Sequence, residues 1–206
     1  MTQLLLPLDP ASAGAGDEAG VLIGTANAAA VEALARPHSW PYRTAVLSGP
    51  PRSGKTLLGR WFAAGVRAAT VIDDAHREAE PVLFHAWNRA QEASAPLLLI
   101  AGTEPWMPAL PDLSSRVQAA LALSVGEPDD ALLTALLRHH ARLRRLVLDE
   151  SFATYLVPRM VRSYAVAERL VAEIDRLSLE LKIAPGRSVW RAALEAVCGP
   201  AQRDLA

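Results

Sequence analysis

The sequence predicts an α/β protein: a parallel sheet covered by helices on both faces, an αβα sandwich, followed by a small all-helical domain. Three features point there. Short β-type runs alternate with helical segments between residues 44 and 125, a glycine-rich loop joins the first of those runs directly to a helix, and beyond Pro128 only helical periodicity remains. The run Leu97 to Ala101 is apolar throughout, as a strand buried on both faces requires.

The elements follow in chain order. Residues 9–20, Asp-Pro-Ala-Ser-Ala-Gly-Ala-Gly-Asp-Glu-Ala-Gly, carry small and breaker residues and read as a flexible linker. Ahead of it, residues 1–8 contain Gln3-Leu4-Leu5-Leu6-Pro7-Leu8, an isolated apolar peptide that needs another surface to bury it, either a partner or the chain's own body. Thr25 or Asn27 can cap a helix reaching Ala35. Thr44 to Leu47 is a short strand, Leu57 to Val66 a helix, Ala69 to Ile72 a strand closed by Asp73-Asp74, and Pro81 to Ala93 a helix. The strand Leu97 to Ala101 is followed by a proline-rich segment, a short helix from Ser114 to Ala119 and a strand from Leu121 to Val125. Helices are then expected near 129–142, 149–160, 163–182 and 187–197. In the third of these, Ala167, Leu170, Val171, Ile174, Leu177 and Leu181 keep the spacing of one packed face. The predicted division is therefore a peptide at 1–8, a linker at 9–20, an α/β domain at 21–127 and a helical domain at 128–206.

Composition narrows the function classes. With 51% hydrophobic and 21% charged residues, the 206-residue chain can bury a core without staples. Its 21 basic and 22 acidic side chains leave a net charge of −1, so no attraction to nucleic acid or anionic lipid is built into the whole molecule. The single cysteine, Cys198, excludes an internal disulfide and suits a reducing compartment. No apolar run approaches the roughly 18 residues that span a bilayer. The first residues lack a basic region and are broken by Pro7 and Pro10, so neither membrane insertion nor export is expected and the location is read as cytoplasmic.

The chemistry concentrates in Gly49-Pro50-Pro51-Arg52-Ser53-Gly54-Lys55-Thr56, which fits the phosphate-binding P-loop pattern and sits between a strand and a helix, as that pattern demands. Its backbone N–H groups, continuing to Leu57 at the helix N-terminus, can converge on phosphates. Lys55 can reach the terminal phosphates and the Thr56 hydroxyl can bind Mg²⁺. Val71-Ile72-Asp73-Asp74 supplies acids at the end of the next strand: Asp73 can hold the Mg²⁺ shell and Asp74 can polarise a water, although a pair of aspartates there also reads as a helix cap. Thr103, at the end of the apolar strand, can meet a γ-phosphate or simply end the strand. Arg116 can act as an arginine finger on a nucleotide held by another molecule, or can be a solvated arginine. Arg162 and Arg169, near the start of the long helix, can reach phosphates or remain surface charges. His76, His85, His139 and His140 show no metal-ligand spacing and read as solvated or partly packed.

Taken together these motifs resemble the AAA+ domain of the DnaA family of replication initiators, and within it the short-paralogue branch known as Hda or HdaA, over nearly the whole chain. Val21-Leu22-Ile23-Gly24-Thr25-Ala26-Asn27 resembles the family segment that borders the adenine, which assigns Leu22 and Ile23 to the nucleotide site. Gly49 to Thr56 matches Walker A, Val71 to Asp74 matches Walker B, and Leu113-Ser-Ser-Arg116-Val resembles the arginine-finger segment. Residues 128–197 resemble the AAA+ lid, and Gln3-Leu4-Leu5-Leu6-Pro7-Leu8 resembles the peptide by which that branch binds the sliding clamp. Two departures stand out. Only Gly65 to Ala68 separate the P-loop helix from the Walker B strand, where the family inserts its second strand and a helix, so the sheet is expected to lack that strand. The position of the usual lid arginine falls on Glu168, with Arg162 and Arg169 beside it.

The resemblance implies a negative regulator of replication initiation. Such a protein binds ATP or ADP with Mg²⁺ and has little or no hydrolysis of its own. It docks on the DNA-loaded β sliding clamp of DNA polymerase III through Gln3, Leu4, Leu6, Pro7 and Leu8, and stimulates hydrolysis of the ATP on DnaA through Arg116. DNA is contacted only indirectly, and no helix-turn-helix segment for origin binding is expected. A nucleotide-dependent homodimer is compatible with this picture. Two other readings remain at this point: an adaptor that binds DnaA without a catalytic role, and a stand-alone P-loop ATPase or loader acting on nucleic acid.

Overall fold

The structure is a computed structural model that describes residues 5–6, 21–103 and 105–199. Gln3, Leu4, Pro7, Leu8 and the 9–20 linker lie outside the described residues. The chain divides into two compact units, Met1–Gly126 and Glu127–Ala206.

The first unit is built on four parallel strands: β3 (Thr44–Ser48), β4 (Thr70–Ile72), β5 (Leu97–Ile100) and β6 (Leu121–Ser124), in spatial order β4-β5-β3-β6. The four-stranded sheet is the one the short Gly65–Ala68 connection predicts. β3 is central. It pairs with β5 from Thr44↔Leu97 to Leu47↔Ile100 and with β6 from Ala45↔Leu121 to Ser48↔Ser124. Parallel neighbours need crossovers, and these are α2 (Lys55–Gly65), α3 (Glu80–Glu92) and α4 (Pro111–Ala119); α1 (Ala28–Leu34) precedes the sheet.

β5 shows why the run at 97–100 is apolar at every position: all four residues are at most 2% exposed. Leu97 and Leu99 pack with Leu83, Trp87 and Ala90 of α3 and Leu113 of α4. Strand alternation turns Ile100 to the other face, where α2 comes so close at Gly59 that a Cβ there would stand 2.7 Å from Ile100 Cδ1 and 3.1 Å from Val71 Cγ1. Further along α2, Phe62 is buried and stacks on Trp40 with ring centroids 5.1 Å apart. α4 begins three residues earlier than the periodicity suggests, because Pro111 fits the first helical turn, where its missing N–H costs nothing.

At the N-terminus, β1 (Leu5–Leu6) pairs antiparallel with β2 (Val21–Leu22), in the register Leu5↔Leu22 and Leu6↔Val21. Leu5–Leu6 of the apolar peptide thus pair through the backbone with the chain's own body.

The second unit contains α5 (Asp130–Leu143), α6 (Phe152–Leu156), α7 (Tyr164–Leu181) and α8 (Arg187–Cys198). Its core includes Leu133, Leu137, Leu170, Ile174 and Trp190, each at most 1% exposed. The expected helix at 149–160 is shorter than predicted: α6 gives way to a 3₁₀ turn at Val157–Arg159, around Pro158, which cannot donate to an α-helical ladder. The stripe on α7 is buried at Ala167, Leu170, Val171 and Ile174, whereas Leu181 is 55% exposed, since it is the last residue of the helix before Lys182 turns left-handed (φ 55°). Among the described residues no helix is long and apolar enough to cross a membrane.

Asp129 caps α5, accepting from the Leu132 N–H at 2.7 Å. Its charge also adds to the burial that pushes the Tyr164 phenol up to about 12. Asp129→Ala is expected to cost about 1 kcal/mol of the second unit's stability, and Asp129→Asn to recover most of it because asparagine caps as well as aspartate. Denaturation midpoints of the two variants measure this.

Candidate functional site

The site begins where β3 ends. After Ser48 the chain must turn between the ends of its two neighbours, and no side chain fits: a Cβ on Gly49 would lie 2.8 Å from the Val125 carbonyl oxygen and 2.9 Å from Val125 Cβ, with φ at +152°. The Gly49 N–H donates to the Gly102 carbonyl beyond β5 at 3.1 Å, and the Val125 N–H donates to the Ser48 carbonyl at 2.9 Å. The loop then winds through Arg52 (φ 63°) and Gly54 (φ 85°) into α2. Two left-handed residues flanking Ser53 wrap the backbone into a cradle, and the first N–H groups of α2 have no partner within the helix. Ser53 is 4% exposed, and its Oγ is buried with no hydrogen-bond partner among the described residues. An orphaned donor inside such a cradle is what an anion would satisfy.

Lys55 folds back over the loop, donating to the carbonyls of Gly49 at 2.7 Å and Pro50 at 2.9 Å. Burial lowers its pKa below that of an ordinary lysine, while the charges of Asp73 and Asp74 act in the opposite sense. Asp73 is exposed, with Oδ1 accepting from the Asp74 N–H at 3.0 Å, and Asp74 takes a left-handed conformation (φ 49°) that starts a 3₁₀ turn. Thr56 is exposed on the first turn of α2. Thr56 and Asp73 are oxygen donors of the kind Mg²⁺ takes.

The segment before α1 closes another side. Val21 is buried, and a Cβ on Gly54 would stand 3.9 Å from Val21 Cγ1. Asn27, 2% exposed, accepts from the Gly24 N–H at 2.9 Å and donates from Nδ2 to the Leu22 carbonyl at 2.8 Å. Its side chain therefore does not cap α1. It pins the loop that carries Leu22 and Ile23, a role that the residue type, that of a helix cap, does not signal. The Gly126 N–H ties the same loop to the end of β6 through the Ala26 carbonyl at 2.8 Å.

Thr103 is exposed just after β5, beside a cavity of about 450 Å³ lined by His76, Gly102, Thr103, Pro105 and Trp106. His76 is half-buried, and its Nδ1 has no partner among the described residues. The sequence offers no spacing signal for this histidine.

Arg116 is not a solvated arginine. It is half-buried on α4, with its guanidinium held by side chains of α3: Nη1 donates to Asn88 Oδ1 at 2.6 Å and the group lies 4.4 Å from the centre of the Phe84 ring. In the second unit, Arg162 pairs with Asp130 at 2.8 Å and Arg169 is exposed on α7. Within the first unit the fold therefore brings together the loop 49–57, Lys55, Asp73, Asp74, Val21 to Asn27 and Thr103, while Arg116 is fastened separately between α3 and α4.

No protein-family model matches the chain, and no curated protein matches it. Solved structures do. Domain III of the replication initiation protein DnaA from Thermotoga maritima superposes with a TM-score of 0.71 at 15% identity, covering 89% of this chain and 96% of that one. A replication initiator DnaA bound to AMPPCP and single-stranded DNA gives 0.60 at 16% identity, covering 78% of this chain and 65% of that one. The Thermotoga maritima RuvB Holliday junction branch migration motor gives 0.58 at 18% identity, over 74% of this chain and 61% of that one. The fold is the one shared by DnaA domain III and RuvB.

The cradle, the orphaned Ser53 hydroxyl and the Lys55 ammonium together have the chemistry to hold a polyphosphate. Lys55→Ala is expected to remove a charge-assisted contact of about 1.5–3 kcal/mol and so to weaken Mg²⁺–nucleotide binding roughly ten- to hundredfold, read by titration with a fluorescent nucleotide.

Proposed function

We propose that this chain is a nucleotide-binding AAA+ protein that regulates replication initiation negatively: held at a DNA-loaded β sliding clamp, it stimulates hydrolysis of the ATP on DnaA. The observation that carries the nucleotide part is the buried Ser53 hydroxyl, unpartnered among the described residues, in a loop over which Lys55 folds back onto the Gly49 and Pro50 carbonyls, within a fold shared with DnaA domain III. On this reading the loop from Gly49 to Leu57 and Lys55 hold the phosphates of ATP or ADP, Thr56 and Asp73 hold Mg²⁺, and Leu22 and Ile23 border the base. Bound Mg²⁺ would neutralise phosphate charge. Lys55 would exchange its two carbonyl acceptors for phosphate oxygens, and Thr103 would face the terminal phosphate. Asp74 would hold a water for any slow turnover by the chain itself. A role for Arg162 or Arg169 in nucleotide binding belongs to this proposal too, and for Arg162 it requires release from Asp130.

The regulatory part rests on two further features. Gln3 to Leu8 is an apolar peptide with a glutamine at its head, suited to a pocket that takes an extended segment. Docking it on a clamp requires Leu5–Leu6 to part from Val21–Leu22. Arg116 carries the charge that would act on the nucleotide of a neighbouring DnaA, while contact with DNA is left to the clamp and to DnaA, in keeping with a net charge of −1. A cytoplasmic location and a nucleotide-dependent homodimer fit the same picture.

The fastening of Arg116 onto α3 also favours a second reading, in which the arginine is structural and the protein is an adaptor that binds DnaA without assisting chemistry. One experiment separates them. With clamp loaded on DNA, Arg116→Ala is expected to lower DnaA–ATP hydrolysis by at least about a hundredfold while leaving nucleotide and clamp binding intact; undiminished turnover would select the adaptor. For the peptide, the double variant Gln3→Ala, Leu6→Ala should lose retention on immobilised clamp, and equal retention would remove residues 3–8 from the interface.

A further inference from the structure

α3 grips the start and the middle of α4 through one face. Glu80, Phe84 and Asn88 recur at four-residue intervals and so form a single stripe. Glu80 accepts from the Ala109 N–H at 2.6 Å and the Leu110 N–H at 2.8 Å, which fixes the backbone where α4 starts. Phe84 and Asn88 take the Arg116 guanidinium, with the Trp87 ring centre a further contact at 5.9 Å. Trp87 is itself 5% exposed in the core between α3, α4 and β5, so the platform is rigid.

The chemistry of the grip is unusual for a half-buried arginine. Among the described residues no carboxylate pairs with it: the Glu80 carboxylate is taken up by backbone N–H groups, and Asp112, one turn earlier on α4, makes no ion pair with it. A ring face and an amide oxygen orient the guanidinium plane, and the amide engages one of its five N–H donors. Neither cancels its charge. A carboxylate at the same place would hold the arginine more strongly but would neutralise it and repel an incoming phosphate.

We propose that Asn88 and Phe84 are positioning residues that form a neutral cradle, holding Arg116 as an oriented, uncompensated cation for a phosphate presented by another molecule. This rests on the reading of Arg116 as acting on the nucleotide of DnaA.

The test is clamp-dependent hydrolysis of DnaA–ATP by wild type, Arg116→Ala, Asn88→Asp, Asn88→Ala and Phe84→Leu, with the maximal rate separated from the half-saturating protein concentration. Asn88→Asp keeps an acceptor oxygen at the same reach and adds a charge. It is expected to lower the maximal rate at least about tenfold with an unchanged or raised melting temperature and unchanged nucleotide and clamp affinity. Phe84→Leu keeps apolar bulk but removes the ring face, and should also lower the maximal rate rather than the half-saturating concentration. A purely structural contact predicts the opposite order, with Asn88→Asp at or above wild type and Asn88→Ala both less stable and less active; that order, with Arg116→Ala inactive, overturns the cradle alone. Full activity in Arg116→Ala overturns the finger reading and the cradle with it. Should Asn88→Asp fail to fold, Phe84→Leu at wild-type maximal rate overturns the proposal by itself.

Discussion

Everything around the P-loop depends on the space left at the end of β3. A central strand flanked by two parallel neighbours has nowhere to put a side chain as it exits, and the 2.8 Å that a Cβ at Gly49 would leave to the Val125 carbonyl makes the limit quantitative. The same crowding supplies the bonds that hold the turn: Gly49 N–H to the carbonyl beyond β5, and Val125 N–H to the last carbonyl of β3. Three strand ends are thereby locked at one level. Because the strands are parallel and in fixed register, Asp73 after β4 and Thr103 after β5 must emerge on the same rim as the loop. The site follows from the sheet, and the sheet follows from β5 being apolar enough to be buried on both faces.

What the sequence could disclose was local. Gly49, Gly54 and Lys55 stand at a spacing whose backbone consequences can be read without a structure, and β5 and α7 announce themselves by composition and period. The four-stranded sheet was legible from a single short connection, Gly65 to Ala68. What it could not disclose was assembled from distant residues. Asn88 and Arg116 are 28 positions apart, and nothing near either marks the other. Asn27 carries the residue type of a helix cap, but its side chain turns backward to Leu22 and Gly24 because the carbonyl and N–H there need partners once Val21 is buried. Leu181 fits the period of α7 yet is exposed, since periodicity says which side of a helix a residue occupies but not whether the helix still has a neighbour there. The pairing of Leu5–Leu6 with Val21–Leu22 spans a linker with no pattern of its own.

That pairing joins two parts of the proposed function. β2 is the strand that takes up the N-terminal peptide, and its Val21 side chain stands next to Gly54 of the phosphate loop. A partner that removes residues 3–8 must first break the ribbon, so its affinity is reduced by the free energy of that pairing. By reciprocity, whatever steadies β2 from the nucleotide side alters the cost of releasing the peptide. The contact is two residues long on each strand, and a two-stranded pairing of that length is only marginally stable, which keeps the linkage small.

The two cations at the centre of the proposal are different residues for physical reasons. Of the 21 basic residues only Lys55 and Lys182 are lysines, so arginine is the ordinary choice in this chain and lysine at 55 is an exception set by the site. An ammonium on a flexible stem can rest on two loop carbonyls and swing to a phosphate oxygen within the same small cradle, which a rigid five-donor fork cannot do. Position 116 asks for the reverse. There the cation must keep a fixed orientation over a ring while one of its N–H groups is engaged and its charge remains unspent, and only a planar guanidinium stacks and donates at once. Exchanging the two residue types would preserve the net charge and disable both places.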